Sequence, residues 1–252
     1  MIDSGLFERT HILVGDEGVK KLQNSHILLA GLGGVGSFVA EALARAGIGR
    51  FTLIDSDVVA PSNINRQLPA TVDTIGQKKV DVVGERLKSI NPQCQLTLHD
   101  QFLTTQTIPA MLDQTQPDWV IDAIDSLNCK VSLIIESQIR SYHVASSMGA
   151  GSKLDPTRLQ VGDLLDSSIC PLASAVRQRL RRRNCQRGVL AVWSSEPPLP
   201  HKPPEATSQG RPRAINGTIS YMPALFGLTL AGEVLRRIIG HSKAESINPK
   251  KK

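Results

Sequence analysis

Residues 26–46 constrain the fold more than any other part of this chain. His26-Ile27-Leu28-Leu29-Ala30 is a short apolar run, Gly31-Leu32-Gly33-Gly34-Val35-Gly36 follows without a gap, and Ser37 to Ala46 carries apolar residues at helical spacing. A buried parallel strand, a glycine turn and a helix in that order make a nucleotide-binding unit. Gly31, Gly33 and Gly36 permit the tight turn, admit a phosphate close to the backbone and let the helix pack on the strand, while the free N–H groups of the helix face the anion. The turn alone leaves the nucleotide open. A bare G-x-G-x-x-G most often accompanies a dinucleotide, and Asp55, at the end of a second strand from Phe51 to Ile54, stands where a ribose-binding acid belongs.

The chain continues in the same alternation. Strands are expected at Gln95–Leu98, Trp119–Ile121 and Tyr142–Ser146, with helices at Gln77–Ile90, near Thr105–Leu112 and at Leu127–Arg140. This predicts an α/β fold, a mostly parallel sheet with helices on both faces. After Gly149 the pattern loosens. Arg158–Val161 and Val189–Trp193 read as strands of a smaller C-terminal α/β part, with a basic helix between them, and the proline-rich stretch 197–212 reads as a loop.

Motifs after the second strand argue for a triphosphate over a nicotinamide. Asp55-Ser56-Asp57 leads to Asn63-Ile64-Asn65-Arg66-Gln67, then to Gly76-Gln77-Lys78-Lys79, and later to Asp122-Ala123-Ile124-Asp125-Ser126. Arg66 and Lys79 place two cations near the phosphate turn, which suits a triphosphate whose charge must be neutralised during attack. Asp125, past a strand end, offers one carboxylate for Mg²⁺ alongside phosphate oxygens and water. Asp57 either helps hold the ribose or metal or opens the loop after the strand. Asp122 either orders the metal's surroundings or caps the next helix.

With these motifs the chain resembles the ubiquitin-activating-enzyme-like adenylyltransferases, whose signature joins a G-x-G-G-x-G turn, D-x-D, N-x-x-R-Q, a lysine after G-x-x, and a strand-end D-x-x-D. The resemblance implies a Rossmann-like fold that binds ATP and Mg²⁺. It assigns Gly33, Gly34, Asn63, Arg66 and Lys79 to the phosphates, Asp55 to the ribose and Asp125 to the magnesium. It also suggests that Arg9, ahead of the first strand, reaches the ATP of a partner subunit; a surface arginine is the plainer reading.

Within that superfamily the wording is similar to the tRNA threonylcarbamoyladenosine dehydratases: Phe7-Glu8-Arg9-Thr10, Glu41 to Gly49, Ile90-Asn91-Pro92, Val120 to Asp125, Asp155-Pro156-Thr157, Gln160 to Leu164 and Ser194-Ser195-Glu196-Pro197. This resemblance implies ATP-dependent cyclisation of a threonylcarbamoyl-modified adenosine beside the anticodon, a tRNA substrate, a homodimer and possible dealings with a sulfur-transfer protein. It divides the chain into an ATP-binding region, 1–148, and a substrate-binding and dimerisation region, 149–252, of one continuous domain. An alternative within the superfamily is adenylation of the C-terminus of a sulfur-carrier or ubiquitin-like protein. Structural zinc on paired C-x-x-C motifs is not expected, because Cys94, Cys129, Cys170 and Cys185 stand apart. An NAD-binding oxidoreductase or nucleotide sensor is the reading from another class, and Arg66 and Lys79 oppose it.

Composition fits an α/β core: 252 residues with 40% hydrophobic content. Four isolated cysteines and no recognisable signal peptide point to the cytoplasm. Tyr221–Ile239 is largely apolar but carries Pro223, Glu233, Arg236 and Arg237, so it reads as a buried or dimer-facing helix and not a membrane span. The net charge of +6 has a local source in the run from Pro171 to Arg183, where Leu172, Val176 and Leu180 form an apolar stripe. Arg177, Arg179, Arg181, Arg182 and Arg183 cover the rest of that helix and are candidates for RNA backbone contact, against the alternative of a solvated face. Lys250, Lys251 and Lys252 read as a tail.

Overall fold

The computed structural model describes residues 5–199 and 217–241. In chain order its elements are α1 (Glu8–Asn24), β1 (His26–Ala30), α2 (Gly36–Ala46), β2 (Arg50–Ile54), α3 (Lys79–Ile90), β3 (Gln95–His99), α4 (Ile108–Thr115), β4 (Trp119–Asp122), α5 (Leu127–Ile139), β5 (His143–Ser147), β6 (Leu159–Asp163), α6 (Pro171–Arg181), β7 (Val189–Ser194) and α7 (Tyr221–Ile238). One sheet of seven strands runs β3-β2-β1-β4-β5-β7-β6. Every pairing is parallel except that of β6 with β7.

Alternation along the buried strands sorts the core into two faces. Ile27, Leu29, Phe51, Leu53 and Ile121 pack against Val39 and Leu43 of α2, Val83 and Leu87 of α3, and Phe226 and Leu230 of α7. Leu28, Ala30, Ile54 and Val120 face the other way, onto Ile108 and Leu112 of α4 and Leu133 of α5. Further along the sheet Val144, Val189 and Trp193 pack with Val131 and Ile134 of α5 and Ala173, Val176 and Leu180 of α6. Both faces of β1, β4 and β7 are covered, which is why these strands are continuous apolar runs.

Four features differ from the sequence reading. The strands expected to form a smaller C-terminal part join the main sheet: β7 pairs with β5, and β6 closes that edge antiparallel to β7. Helix α1 was not anticipated, because its face is mostly polar and exposed and Gly15 breaks it with φ 69°. Helix α4 starts later than expected. Thr104 and Thr107 close a turn on each other's backbone amides at 3.0 and 3.2 Å, and Pro109 sits in the first turn of the helix. The buried stripe of α6 is Ala173, Val176 and Leu180, leaving Leu172 to face the cleft described below. Helix α7 buries Met222, Phe226, Leu230 and Val234 against its own chain, and Gly227 lets it approach α2 so closely that a Cβ there would stand 2.5 Å from the Val35 carbonyl oxygen. No helix among the described residues is long and apolar enough to cross a membrane.

Candidate active site

Strand order reverses between β1 and β4, since the chain leaves β1 toward β2 and β3 and leaves β4 toward β5. Connections leaving such neighbours in opposite directions open a crevice at the carboxyl ends of the strands, where α/β proteins bind ligands. A cleft of about 530 Å³ lies there, lined among others by Gly31, Gly33, Gly34, Asp55, Asp57, Arg66, Lys79 and Asp125. A larger open depression of about 870 Å³, beside Trp119 and His143 at the opposite strand ends, contains none of the motif residues.

The glycine turn has the shape its sequence requires. Gly31 takes φ 90°, and a Cβ on it would lie 2.8 Å from the Ala123 carbonyl oxygen. A Cβ on Gly36 would lie 1.8 Å from the Gly31 carbonyl oxygen, so this glycine closes the turn from behind and does not line the cleft. Gly33 is different: its nearest neighbour would be the Gln67 amide at 3.7 Å, leaving open space for a ligand against the backbone.

Asp55 is tied to this turn. Its carboxylate accepts the Leu32 amide at 2.6 Å and the Asp57 amide at 2.8 Å. Burial pushes its pKa above the usual aspartate value, against the opposing pull of those two amides and of Lys79. Lys79 opens α3 and is almost wholly buried, and its ammonium pairs with the Asp57 carboxylate at 2.7 Å. Asp57 is therefore the counter-ion of Lys79 as well as the residue opening the loop. An unpaired buried ammonium is costly, so this pairing offsets the burial and holds the side chain in place.

Arg66 is held from two sides, by the Ser62 carbonyl at 2.8 Å and by Asn65 Oδ1 at 2.9 Å, while the Asn65 amide donates to the Thr218 carbonyl. Asn63 is buried and does not line the cleft; its Oδ1 accepts the Ala60 amide at 3.1 Å, so it locks the turn that presents Arg66. Arg9 is exposed on the first turn of α1 and is not part of this chain's own cleft. Asp125 is exposed at the cleft mouth. Of the arginines on and after α6, Arg177 donates to Ser167 Oγ at 2.6 Å and Arg179 to Asn128 Oδ1, whereas Arg181, Arg182 and Arg183 are exposed. The lysines at 250–252 and most of the proline-rich stretch fall outside the described residues.

Three further residues act in or around this site. Gln67 Oε1 is buried in the cleft wall without a protein donor, an acceptor left over for a ligand. Glu196, in the run Ser194-Ser195-Glu196-Pro197, braces the loop beyond the cleft by accepting the Leu154 and Asp155 amides at 2.9 Å. Lys130, on the helix that follows Asp125, is wholly buried beneath the cleft. Gln67 closes the N-x-x-R-Q motif itself, whereas Glu196 meets the loop at residues 154–155 only through the long-range pairing of strands.

A glycine-turn α/β fold with Arg66, Lys79 and Asp125 around one cleft defines a nucleoside-triphosphate-binding protein of the adenylate-forming kind. Residues 7–251 match the ThiF family. The tRNA threonylcarbamoyladenosine dehydratase of Bacillus subtilis is 36% identical over 251 residues, covering 97% of this chain and 98% of that protein. The Haemophilus influenzae dehydratase of the same description is 37% identical, with 88% and 89% covered. The solved structure of the E. coli tRNA N6-threonylcarbamoyladenosine dehydratase in complex with ATP superposes with a TM-score of 0.83 at 34% identity, covering 94% of this chain and 95% of that one. The chain belongs to the ThiF family, and within it to the tRNA threonylcarbamoyladenosine dehydratases. The sulfur-carrier protein ThiS adenylyltransferase of E. coli is more distant, 38% identical over 55% of this chain.

Proposed function

We propose that this protein catalyses ATP-dependent dehydration of threonylcarbamoyladenosine in tRNA, closing the substituent into a ring. The single observation that carries this reading is the gathering of Gly33, Gly34, Arg66, Lys79 and Asp125 around one cleft, in a chain related along nearly its whole length to dehydratases of that description. Residues 1–148 supply the nucleotide site and residues 149–252 the substrate side, with a second copy of the chain as partner.

The chemistry is carboxylate activation followed by cyclisation. The threonylcarbamoyl carboxylate attacks the α-phosphate of ATP and pyrophosphate leaves. A nitrogen or oxygen of the same substituent then attacks the activated carboxyl carbon and AMP leaves with its electron pair. One water has been removed overall, and its oxygen departs in the AMP phosphate. The second step is intramolecular, so proximity lowers its barrier and no protein nucleophile is needed. This agrees with the cysteines: Cys94, Cys129 and Cys170 are buried, and burial pushes the Cys185 thiol up, away from the nucleophilic thiolate.

The side chains of the cleft divide the work. Backbone amides at Gly33 and Gly34 approach the phosphates, and Asp55 receives the ribose hydroxyls. Lys79 and Arg66 neutralise the charge that grows on the α-phosphate and the leaving pyrophosphate, the dominant electrostatic contribution in such transfers. Lys79 exchanges its present partner, the exposed Asp57, for phosphate oxygens. Mg²⁺ suits the donor set: one exposed carboxylate, Asp125, stands at the cleft mouth, and among the described residues no group of three or more His, Cys, Asp or Glu could form an all-protein cage. Bound through Asp125 and phosphate oxygens, it would supply further charge neutralisation.

For the RNA, the support is Arg181, Arg182 and Arg183, exposed at and just past the C-terminal end of α6, near exposed Arg187. They offer backbone contacts by counterion release. For the dimer, Ile12 and Leu13, 67% and 83% exposed on α1, form an apolar pair near Arg9 that a second copy would cover, bringing Arg9 toward the partner's ATP. The test is pyrophosphate release from ATP with Mg²⁺, in parallel arms containing threonylcarbamoyl-bearing tRNA, unmodified tRNA and no RNA. Release only in the first arm supports the reading; equal release in all three refutes it.

A further inference from the structure

Lys130 occupies a position that neither helix preference nor core packing explains. It lies in the first turn of α5, where the helix dipole disfavours a cation, and it is wholly buried. Its ammonium donates to Asp122 Oδ2 at 2.7 Å and to the Ser147 carbonyl at 3.0 Å. Asp122, equally buried, closes β4, and the same Oδ2 accepts the Ser146 hydroxyl at 2.6 Å. Its other oxygen turns back to the Ile124 amide at 3.2 Å. The network joins the carboxyl ends of β4 and β5 to the loop 123–126, which carries Asp125, and to the wall 147–151, which lines the same cleft.

That loop is wedged from its other side as well. The Ala123 carbonyl sits so close to Gly31 that a Cβ there would approach it to 2.8 Å, and the Ala123 side chain stands 3.3 Å from where a Gly36 Cβ would be. The loop therefore touches the phosphate turn in front and hangs on the Lys130–Asp122 pair behind. Replacing a buried ion pair by apolar residues of similar volume is often neutral or stabilising, so the contribution of this one is better sought in geometry than in fold stability.

We propose that Lys130 is a positioning residue which, through Asp122 and the Ser147 carbonyl, fixes the Asp125 loop at the distance from the glycine turn that a metal-bound triphosphate requires. The proposal rests on the reading of the cleft as the ATP site and of Asp125 as its metal-binding carboxylate. It touches no substrate atom, and its effect passes entirely through the loop.

The test compares the full chain with the double variant Lys130→Met, Asp122→Asn, which removes both charges at similar volume and keeps an acceptor for the Ile124 amide. A melting temperature close to wild type certifies the fold. Hydrogen exchange read by mass spectrometry should then show residues 123–129 and 147–151 exchanging at least about tenfold faster while β1 and α2 stay unchanged. Affinity for ATP with Mg²⁺ should weaken by about 10- to 100-fold, the range typical when a group supporting a metal ligand is removed. Affinity for ATP without metal should stay within about twofold of wild type, because the glycine turn is intact. Should the double variant not fold, Ser146→Ala, which deletes one hydroxyl of the network, gives the same pattern at smaller amplitude. A folded variant with wild-type exchange in the loop and wild-type affinity for ATP with Mg²⁺ would overturn the proposal and leave the pair as core packing. If wild-type protein binds ATP with Mg²⁺ but converts no modified tRNA, the functional reading fails while the exchange and nucleotide measurements still decide this one.

Discussion

Two glycines of the same turn should fail in opposite ways when given a methyl group. Gly33 has ordinary space around its missing side chain, with the Gln67 amide 3.7 Å away, and its φ is not in the left-handed region. Gly33→Ala should therefore leave folding stability unchanged or raise it by about 0.5 kcal/mol, through the lower entropy of the unfolded chain. The new methyl occupies the space where a phosphate must approach the backbone. Losing one such charge-assisted hydrogen bond costs about 1.5–3 kcal/mol, which is about a 10- to 100-fold weaker affinity for ATP. Gly36 is the reverse case, because its Cβ would stand 1.8 Å from the Gly31 carbonyl oxygen, well inside van der Waals contact, and backbone must move. Overpacking of this severity costs about 3 kcal/mol, or about 6–12 °C in melting temperature for a domain of this size. Thermal melting with and without ATP, beside isothermal titration of ATP, separates the two. Wild-type ATP affinity in Gly33→Ala would mean that the phosphates do not lie on this turn, and a wild-type melting temperature in Gly36→Ala would mean that its packing has been misread.

Further perturbations follow from the same geometry. Lys79→Met frees Asp57, which is 67% exposed and can be hydrated, so stability should change by less than about 1 kcal/mol while pyrophosphate release falls by about 100- to 1,000-fold; an unchanged rate would remove Lys79 from the phosphate site. Alanine at Arg181, Arg182 and Arg183 together should weaken tRNA binding and lower the slope of log affinity against log salt by up to about 3, leaving the melting temperature alone, because these side chains are exposed. Arg177→Ala, by contrast, should show mainly in the melting temperature, since its guanidinium is spent on Ser167. Asp55 must be ionised to accept the ribose hydroxyls, and burial raises its pKa. Its carboxylate is thus lost at a higher pH than that of an ordinary aspartate, and the KM for ATP should rise on acidification sooner than an ordinary aspartate would make it, an acid limb absent from Asp55→Asn.

The parts of this protein legible in its sequence are those governed by short-range pattern. Strands β1, β2, β4 and β7 are buried on nearly every residue and announce themselves as apolar runs, and the glycine turn carries its own geometry. The motif residues Arg66, Lys79, Asp55 and Asp125 were legible as types, and the strand order places them around one cleft. Long-range relations were not legible. Whether β6 and β7 form a second sheet or extend the first depends on the β5–β7 pairing, which no local period encodes. The exposed, glycine-broken α1 lacks the stripe that reveals a helix, since Gly18 and Leu22 are its only buried residues. Asn63 was expected at the phosphates, whereas its Oδ1 locks a turn; the direction of one side chain decides, and tertiary packing sets that direction.

The most direct measurement is the mass of the modified nucleoside recovered from threonylcarbamoyl-bearing tRNA after incubation with the purified protein, ATP and Mg²⁺, with AMP quantified in the same sample. The expected result is a nucleoside lighter by one water, formed together with an equal amount of AMP and absent when ATP is omitted. A nucleoside of unchanged mass, while the protein still releases pyrophosphate on addition of a carrier protein ending in glycine, would contradict the dehydratase account and assign the same cleft to protein C-terminus activation.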